Sequence, residues 1–280
     1  MGLRGFSHAT IALLGSTQDP ISEPRKTMNR SGVVLSIVCG VLAVSAGHAS
    51  AQTGTWADRG YINLGWGVES GSTTIADSRT STIYEETATV TTSSGFTSGS
   101  LFDVGAGLRV WRNLTIGVGY HQEQNDTTGT IGGSIPSPIF FNRPRTLTGS
   151  EPLGRKEAAT HLSVGWAFPF SDKLDALVFG GPSLFRLTQD VISNVVQSEA
   201  SVSGTNIGGV ITVAERKASV TGFNVGADVT YIVWSNDNIR VGAGGFIRYS
   251  QGEASIRMLA TDQPTTVGGL QFGFGGRLRF

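Results

Sequence analysis

Apolar and polar residues alternate with a period of two in eight separate runs, and this pattern predicts eight β-strands. In a strand, successive side chains point to opposite faces, so each run has one apolar face and one polar or glycine-rich face. In the last run, Leu270, Phe272 and Phe274 share a face that excludes Gln271. The runs cover residues 61–69, 102–110, 114–121, 161–170, 174–186, 223–231, 239–248 and 270–280.

The fifth run, residues 174–186, is the one whose facing the pattern leaves open. It is apolar on both faces around Gly180, Gly181 and Pro182. Glycine and proline inside a strand often mark a bulge, so we expect a bulge at these three residues.

The connections between the runs alternate between short and long. Short turns fall at residues 111–113, 171–173 and 235–238, and the long polar gaps cover residues 70–99, 122–157, 187–217 and 251–265. This layout predicts an all-β fold, an eight-stranded antiparallel transmembrane up-and-down β-barrel with short turns and both termini in the periplasm. Residues 81–92 and 210–220 also alternate, and we expect them to extend strands beyond the membrane.

Aromatic residues support this topology because they sort by strand end, as expected of girdles at the two membrane interfaces. One set falls near the short turns and comprises Tyr61, Trp111, Phe168, Phe170, Tyr231, Trp234 and Phe280. Tyr120 and Tyr249 fall near the opposite end.

Composition and charge narrow the classes of fold and of partner that fit the chain. Glycine is 39 of the 280 residues, twice the usual share, and glycines inside strands leave room in a narrow barrel. The chain has 21 Lys and Arg against 21 Asp and Glu. It therefore lacks the surplus of basic residues that would indicate nucleic-acid binding.

The N-terminal region has the pattern of a secretion signal. Basic residues surround Met28, an apolar run covers residues 33–46, and Ala49 and Ala51 form a small-x-small cleavage site. The apolar run is shorter than the roughly 20 residues of a membrane-spanning helix. We therefore predict a signal peptide over residues 1–51, with the true start at Met28, and a barrel over residues 52–280. The single cysteine, Cys39, would leave with the signal.

The signal, the eight runs and the terminal segment 275–280 resemble the small outer-membrane β-barrel proteins of Gram-negative bacteria, the OmpA/OmpX/OmpW-like group. The resemblance covers residues 61–280. It implies that Leu278 and Phe280 belong to the signal read by the barrel-assembly machinery, with Phe280 as its key residue. We expect a monomeric protein of the cell envelope whose partners are outer-membrane lipid and that machinery, and not nucleic acid.

Charged residues on the inward face are the first candidates for function. Burying a charge is costly unless it is paired, so we expect a network that links Asp228 with Arg240 and Arg277. Such a network either plugs the barrel or forms the constriction of a small, porin-like passive channel, and both interpretations stay open. The predicted lumen charges are Asp103, Arg109, Asp228, Arg240, Arg248 and Arg277.

An enzyme is the alternative from another class. Some outer-membrane lipid A deacylases use a His-x-Ser pair with an acid, and here His161, Ser163 and Asp175 offer those groups. However, His161 and Ser163 face the lumen in the predicted strand, away from lipid, so we expect no enzymatic activity. We also expect no cofactor and no metal site, because the histidines are scattered far from carboxylate clusters in the sequence.

The long loops suggest surface interaction instead, as in an adhesin. The loop over residues 122–157 holds an apolar cluster, Ile139, Phe140 and Phe141, between prolines. This cluster could contact a partner, dip into the lumen or cover the barrel mouth. Loops on a rigid scaffold often carry function.

Overall fold

The computed structural model describes residues 55–97, 99–197 and 206–280, so the predicted signal with its cleavage site lies outside the described residues. These residues form eleven β-strands. None of the described residues belongs to a helix long and apolar enough to cross a bilayer. The strands are β1 Gly60–Ser70, β2 Thr73–Ile83, β3 Glu86–Phe96, β4 Gly99–Trp111, β5 Leu114–Ile135, β6 Arg145–Ser171, β7 Leu174–Gln197, β8 Asn206–Ser235, β9 Arg240–Arg257, β10 Asp262–Val267 and β11 Leu270–Arg279.

Eight of these strands close into a ring, which confirms the predicted eight-stranded antiparallel barrel. In order around the ring they are β1, β4, β5, β6, β7, β8, β9 and β11, and each is antiparallel to both neighbours. The ring closes where β11 pairs with β1, from Leu270 opposite Ser70 to Arg279 opposite Tyr61. Each of the eight alternating runs of the sequence lies in one ring strand.

The outer surface of the ring is apolar, as the alternation predicts. Trp66 on β1 and Phe274 on β11 are 58% and 73% exposed, and similar side chains cover the neighbouring strands. One predicted girdle residue is placed differently: Tyr61 is buried inside the barrel against Trp56 and Arg279. The exposed apolar residues include Ile62, Leu64, Val68, Phe102, Leu108, Ile116, Val118, Leu162, Val164, Val229, Val241, Ile247 and Phe272.

The facing of β7, which the sequence left open, follows from its burial pattern. Asp175, Leu177 and Phe185 are buried inside the barrel, whereas Leu184 is exposed on the outer surface. The expected bulge at residues 180–182 is wrong, because the pairing of β7 with β8 keeps one register through them. The register instead shifts farther along, between Ile192 and Asn194.

The strands extend much farther at one end of the barrel than at the other. We call the end with the short turns the turn end and the opposite end the hairpin end. A membrane-crossing strand needs about 9–11 residues, but β5 to β8 have 22, 27, 24 and 30 residues, so they project past the ring at the hairpin end. Residues 210–220 extend β8 as expected, whereas residues 81–92 form a separate hairpin of β2 and β3 that joins β5 through residues 89–93.

The polarity of the interior reverses along the strands. Inside the ring the buried residues are largely polar, but inside the projection they form two apolar clusters. One cluster includes Phe185 and Ile256, and the other includes Phe96, Ile131 and Leu147. The projection therefore has the apolar core of a water-soluble β-protein, while the ring has the polar interior of a membrane barrel.

A buried carboxylate ties two hairpins together in the projection. Asp77 on β2 accepts hydrogen bonds from the backbone N–H groups of Ala260 and Thr261, at 2.7 and 3.3 Å, in the turn between β9 and β10. Burial raises the pKa of Asp77, but these bonds and one from the N–H of Ser78 outweigh it and leave the pKa below its ordinary value of 3.8. The ionised carboxylate thus holds the β9–β10 hairpin against β2.

Acid should release this contact. Because the folded protein has the lower Asp77 pKa, the stabilisation is fully present above pH 3.8 and is lost as the pH falls through the folded-state value. We expect the hydrogen-exchange protection factors of the Ala260 and Thr261 amides to fall below that pH. Asp77→Asn should remove most of the protection at neutral pH, whereas Glu253→Gln on the same hairpin should leave it intact. Equal protection in Asp77→Asn and the wild type would contradict this role.

Candidate functional site in the barrel lumen

The turn half of the lumen is filled by a charge network that we call the turn-end network. Asp228 on β8 is buried and accepts hydrogen bonds from Arg277 Nε at 2.9 and 3.1 Å and from Arg277 Nη2 at 2.5 Å. Arg279 lies 3.6 Å from the same carboxylate and 3.3 Å from Asp175 on β7. The pleat aims all four side chains inward, and their pairing offsets the cost of burying them.

The expected pair between Arg240 and Asp228 is wrong. Arg240 instead forms an ion pair of 2.8 Å with Asp58, which precedes β1. The segment 55–59 enters the turn end of the lumen, where Trp56 is buried and its carbonyl accepts a hydrogen bond from Arg109. Arg240 is the first residue of β9 at the turn end, so it lies close to the segment 55–59, which enters the lumen there.

A second ion pair lies nearer the middle of the lumen. Arg248 on β9 is paired with Asp103 on β4, and its Nε donates to Gln271 Oε1 at 2.7 Å. The six predicted lumen charges therefore do not form one network: Asp103 pairs with Arg248, Asp228 with Arg277 and Arg240 with Asp58, whereas Arg109 donates to the Trp56 carbonyl. Beside this pair is a cavity of about 50 Å³ lined by Asp103, His161 and Arg248 among others, which is room for a few water molecules.

Two histidines form a buried chain next to this pair. His121 Nδ1 lies 2.8 Å from His161 Nε2, and His161 Nδ1 lies 2.7 Å from the hydroxyl of Ser183. The alternative constellation of His161, Ser163 and Asp175 is not assembled. His161 is opposite Ser183, eight positions along β7 from Asp175, and Asp175 is paired with Arg279.

The hairpin end of the ring holds a group of carboxylates, which we call the glutamate cluster. It consists of Glu69 on β1, Glu123 on β5 and Glu157 on β6, all buried. Arg155 donates to Glu157 at 3.2 Å, and His121 Nε2 lies 4.0 Å from Glu69 Oε2. This contradicts our expectation that the histidines lie far from carboxylates, because Glu69, His121 and Glu157 are close enough to hold a metal ion.

The predicted assembly residues lie at the closing seam. Leu278 is on the outer face of β11 opposite Ile62, and Phe280 is partly exposed at the turn end. The backbone N–H and C=O of Phe280 both bond to Gly60, at 3.1 and 2.8 Å, so the seam is paired to the last residue.

Sequence reasoning missed several lumen residues. Trp56 and Asp58 precede the first alternating run, and no periodic signal marks them as inward. Glu123 and Glu157 fall in a gap between runs, although each continues the inward face of its neighbouring strand. Arg279 shares a face with Arg277, so the alternation alone would have found it.

The model of the outer membrane protein beta-barrel domain family matches residues 39–279, most of the chain. The chain belongs to this family. An outer-membrane location follows from membership, and the apolar outer surface of the ring agrees with it.

Three solved structures of outer-membrane barrels illustrate the relationship. Neisserial surface protein A is 15% identical, with a TM-score of 0.38, over 79% of this chain and 97% of its own. OprG from Pseudomonas aeruginosa is 10% identical, with a TM-score of 0.42, over 81% and 98%. Ail, the attachment invasion locus protein of Yersinia pestis, is 10% identical, with a TM-score of 0.34, over 78% and 99%. No curated protein sequence matches significantly.

The turn-end network should be essential to stability. Asp228→Ala leaves Arg277 and Arg279 without a buried carboxylate between them, and breaking such a pair costs about 3–5 kcal/mol. Asp262→Ala breaks the exposed pair with Arg257 and should cost less than about 1 kcal/mol. Urea unfolding in lipid vesicles, followed by tryptophan fluorescence, would measure both. An unfolding midpoint for Asp228→Ala equal to that of the wild type would rule out this role.

Proposed function

We propose that this chain is a closed, non-conducting barrel of the outer membrane that displays its projecting β-strands for surface interaction. In this arrangement the short turns and both termini face the periplasm, and the projection faces outward. The protein works as a monomer in outer-membrane lipid after insertion by the barrel-assembly machinery, and it catalyses no reaction.

The filled interior carries this proposal. In the turn half, Asp228, Arg277 and Arg279 occupy the cross-section, and farther along Asp103 pairs with Arg248. In the projection, two apolar clusters occupy the inward side of the same strands. An eight-stranded barrel is just wide enough for side chains to fill. These features favour the plug over the charged constriction of a passive channel.

Conductance in planar bilayers tests the closed state. We expect protein that has passed a heat-dependent gel shift to give no stable channel events, because the paired charges and the apolar clusters block the path. Insertion is checked independently by protease protection of the membrane-embedded ring. A steady conductance that Asp228→Ala or Arg240→Ala alters would favour the channel instead.

The tip of the β5–β6 hairpin supports the surface role. Ile139, Phe140 and Phe141 are 57%, 52% and 74% exposed at the far end of the projection. Exposure of this extent favours contact with a partner over burial in the lumen. The tip is held by a contact with a second hairpin, because the N–H of Asn142 donates to Glu86 Oε1 at 2.6 Å and so joins the tip to the β2–β3 hairpin. Exposed apolar side chains on such a scaffold are typical of protein interaction sites.

Substitutions at the tip test this role. We expect Phe140→Ser with Phe141→Ser to reduce the adhesion of expressing cells to host-cell monolayers severalfold, because the contact surface loses its apolar area. Stability should change by no more than about 0.5 kcal/mol, as for other surface substitutions. Val210→Ser, which alters an exposed apolar residue elsewhere on the projection, is the matched control. Equal adhesion by the wild type, the double variant and Val210→Ser would contradict a surface role of the tip.

A further inference from the structure

We propose that Glu69, His121 and Glu157 bind a divalent transition-metal ion inside the barrel, with Zn²⁺ as the best fit, and that Glu123 lies beside them as a further carboxylate. Each of the three residues offers one ligand atom, and these atoms lie within 4.8 Å of one another. All three side chains are buried. One imidazole nitrogen with carboxylate oxygens is a donor set that suits Zn²⁺.

The charge balance of the lumen indicates a cation at this position. Elsewhere in the lumen, Asp228 and Asp103 are each matched by arginines. In the glutamate cluster, Arg155 is the one arginine or lysine of the described chain that pairs with any of the three carboxylates. When ionised, the cluster therefore keeps two negative charges in excess. A divalent ion supplies that number of positive charges.

The strand register makes the imbalance more costly. Glu123 on β5 and Glu157 on β6 are directly opposite in the ladder, where like charges repel. Gly99 on β4 lies opposite Glu69 and leaves room for Glu123, since a Cβ at Gly99 would collide with the Glu123 carboxylate. The backbone thus brings carboxylates together that electrostatics would separate.

The hydrogen bonds around His121 determine which nitrogen carries its proton. Arg248 can only donate, and its Nε bonds to Gln271 Oε1, so the amide nitrogen of Gln271 faces the other way. That nitrogen donates to Glu69 Oε2 at 2.6 Å and lies 3.3 Å from His121 Nε2. Because an amide N–H₂ can only donate, His121 Nε2 presents its lone pair. The proton is on Nδ1, which donates to His161 Nε2 at 2.8 Å.

Two electron-rich atoms consequently lie on either side of the Gln271 amide nitrogen, and a metal ion bound between them would replace that amide as their shared partner. The Nε2 lone pair of His121 and the carboxylate oxygen of Glu69 are 4.0 Å apart, too far for a hydrogen bond and with no proton on the nitrogen. Two ligands with metal bonds of about 2.1 Å lie at most about 4.2 Å apart. Their separation already fits a shared ion, and Glu157 needs only a small side-chain movement.

Neighbouring residues hold the proposed ligands in position through hydrogen bonds. His161 accepts from His121 and is held by Ser183, and Glu157 Oε1 accepts from the N–H of Gly268 at 2.6 Å. Gly268 has φ of +80°, which favours glycine at the position that aims this N–H. Such second-layer hydrogen bonds orient metal ligands. A cavity of about 30 Å³ beside the ligands is lined by the three glutamates and Arg155 but not by His121, and it has room for a water molecule.

Metal titration of the protein refolded in detergent and stripped with EDTA tests the site. We expect one Zn²⁺ per chain, and visible absorption bands with Co²⁺ that Zn²⁺ abolishes. His121→Asn and Glu157→Gln should each weaken Zn²⁺ binding by at least about 10-fold, while Glu215→Gln, which alters an exposed glutamate, should not change it. His161→Gln should weaken binding yet keep the Co²⁺ bands at saturation, because it acts through His121.

Stability provides a second measurement. Glu123→Gln removes one excess charge and leaves the Glu157–Arg155 pair intact, so metal-free Glu123→Gln should melt at least as high as the metal-free wild type. Zn²⁺ should raise the melting temperature of the wild type and not that of Glu157→Gln. The proposal is overturned if folded wild-type protein binds no Zn²⁺, or if His121→Asn and Glu157→Gln bind and respond to it as the wild type does.

Discussion

The pairing of β1 with β11 is the contact on which the rest of the barrel depends. A bilayer offers no water to unpaired backbone groups, so a sheet in lipid must have no free edge. The ten paired positions of this seam remove both edges, and the bonds between Gly60 and Phe280 continue the pairing to the turn end. Closure then creates an interior that lipid cannot reach, where charged side chains must find partners within the protein.

The reversal of polarity along the strands follows from this closure. In the ring, lipid covers the outer face, so apolar side chains point out and the inward positions are left for polar ones. In the projection, water surrounds the strands, and the same inward positions carry Phe185 or Leu147. One continuous strand such as β6 therefore obeys two opposite patterns, and the glutamate cluster lies where they meet.

The eight ring strands were predictable because alternation with a period of two reports facing directly. Partners within the lumen were less accessible, since they depend on register and on parts of the chain without periodicity. Arg240 pairs with Asp58 because a nonperiodic segment enters the lumen, which no pattern indicates. Likewise, Glu69, His121 and Glu157 lie on three different strands. They meet only through the ladder offsets, one of which places Glu123 opposite Glu157.

The length of the hairpins has a mechanical consequence. At about 3.3 Å per residue, the 30 residues of β8 are roughly 100 Å long, and at a tilt of about 40° they span roughly three times the height of an apolar band of about 25 Å. A pull on the tip along the strand direction would apply a shear force to the β5–β6, β6–β7 and β7–β8 ladders. Backbone hydrogen bonds perpendicular to that force share it simultaneously instead of opening one after another. The ladders of the projection are therefore in the geometry that best resists such a pull.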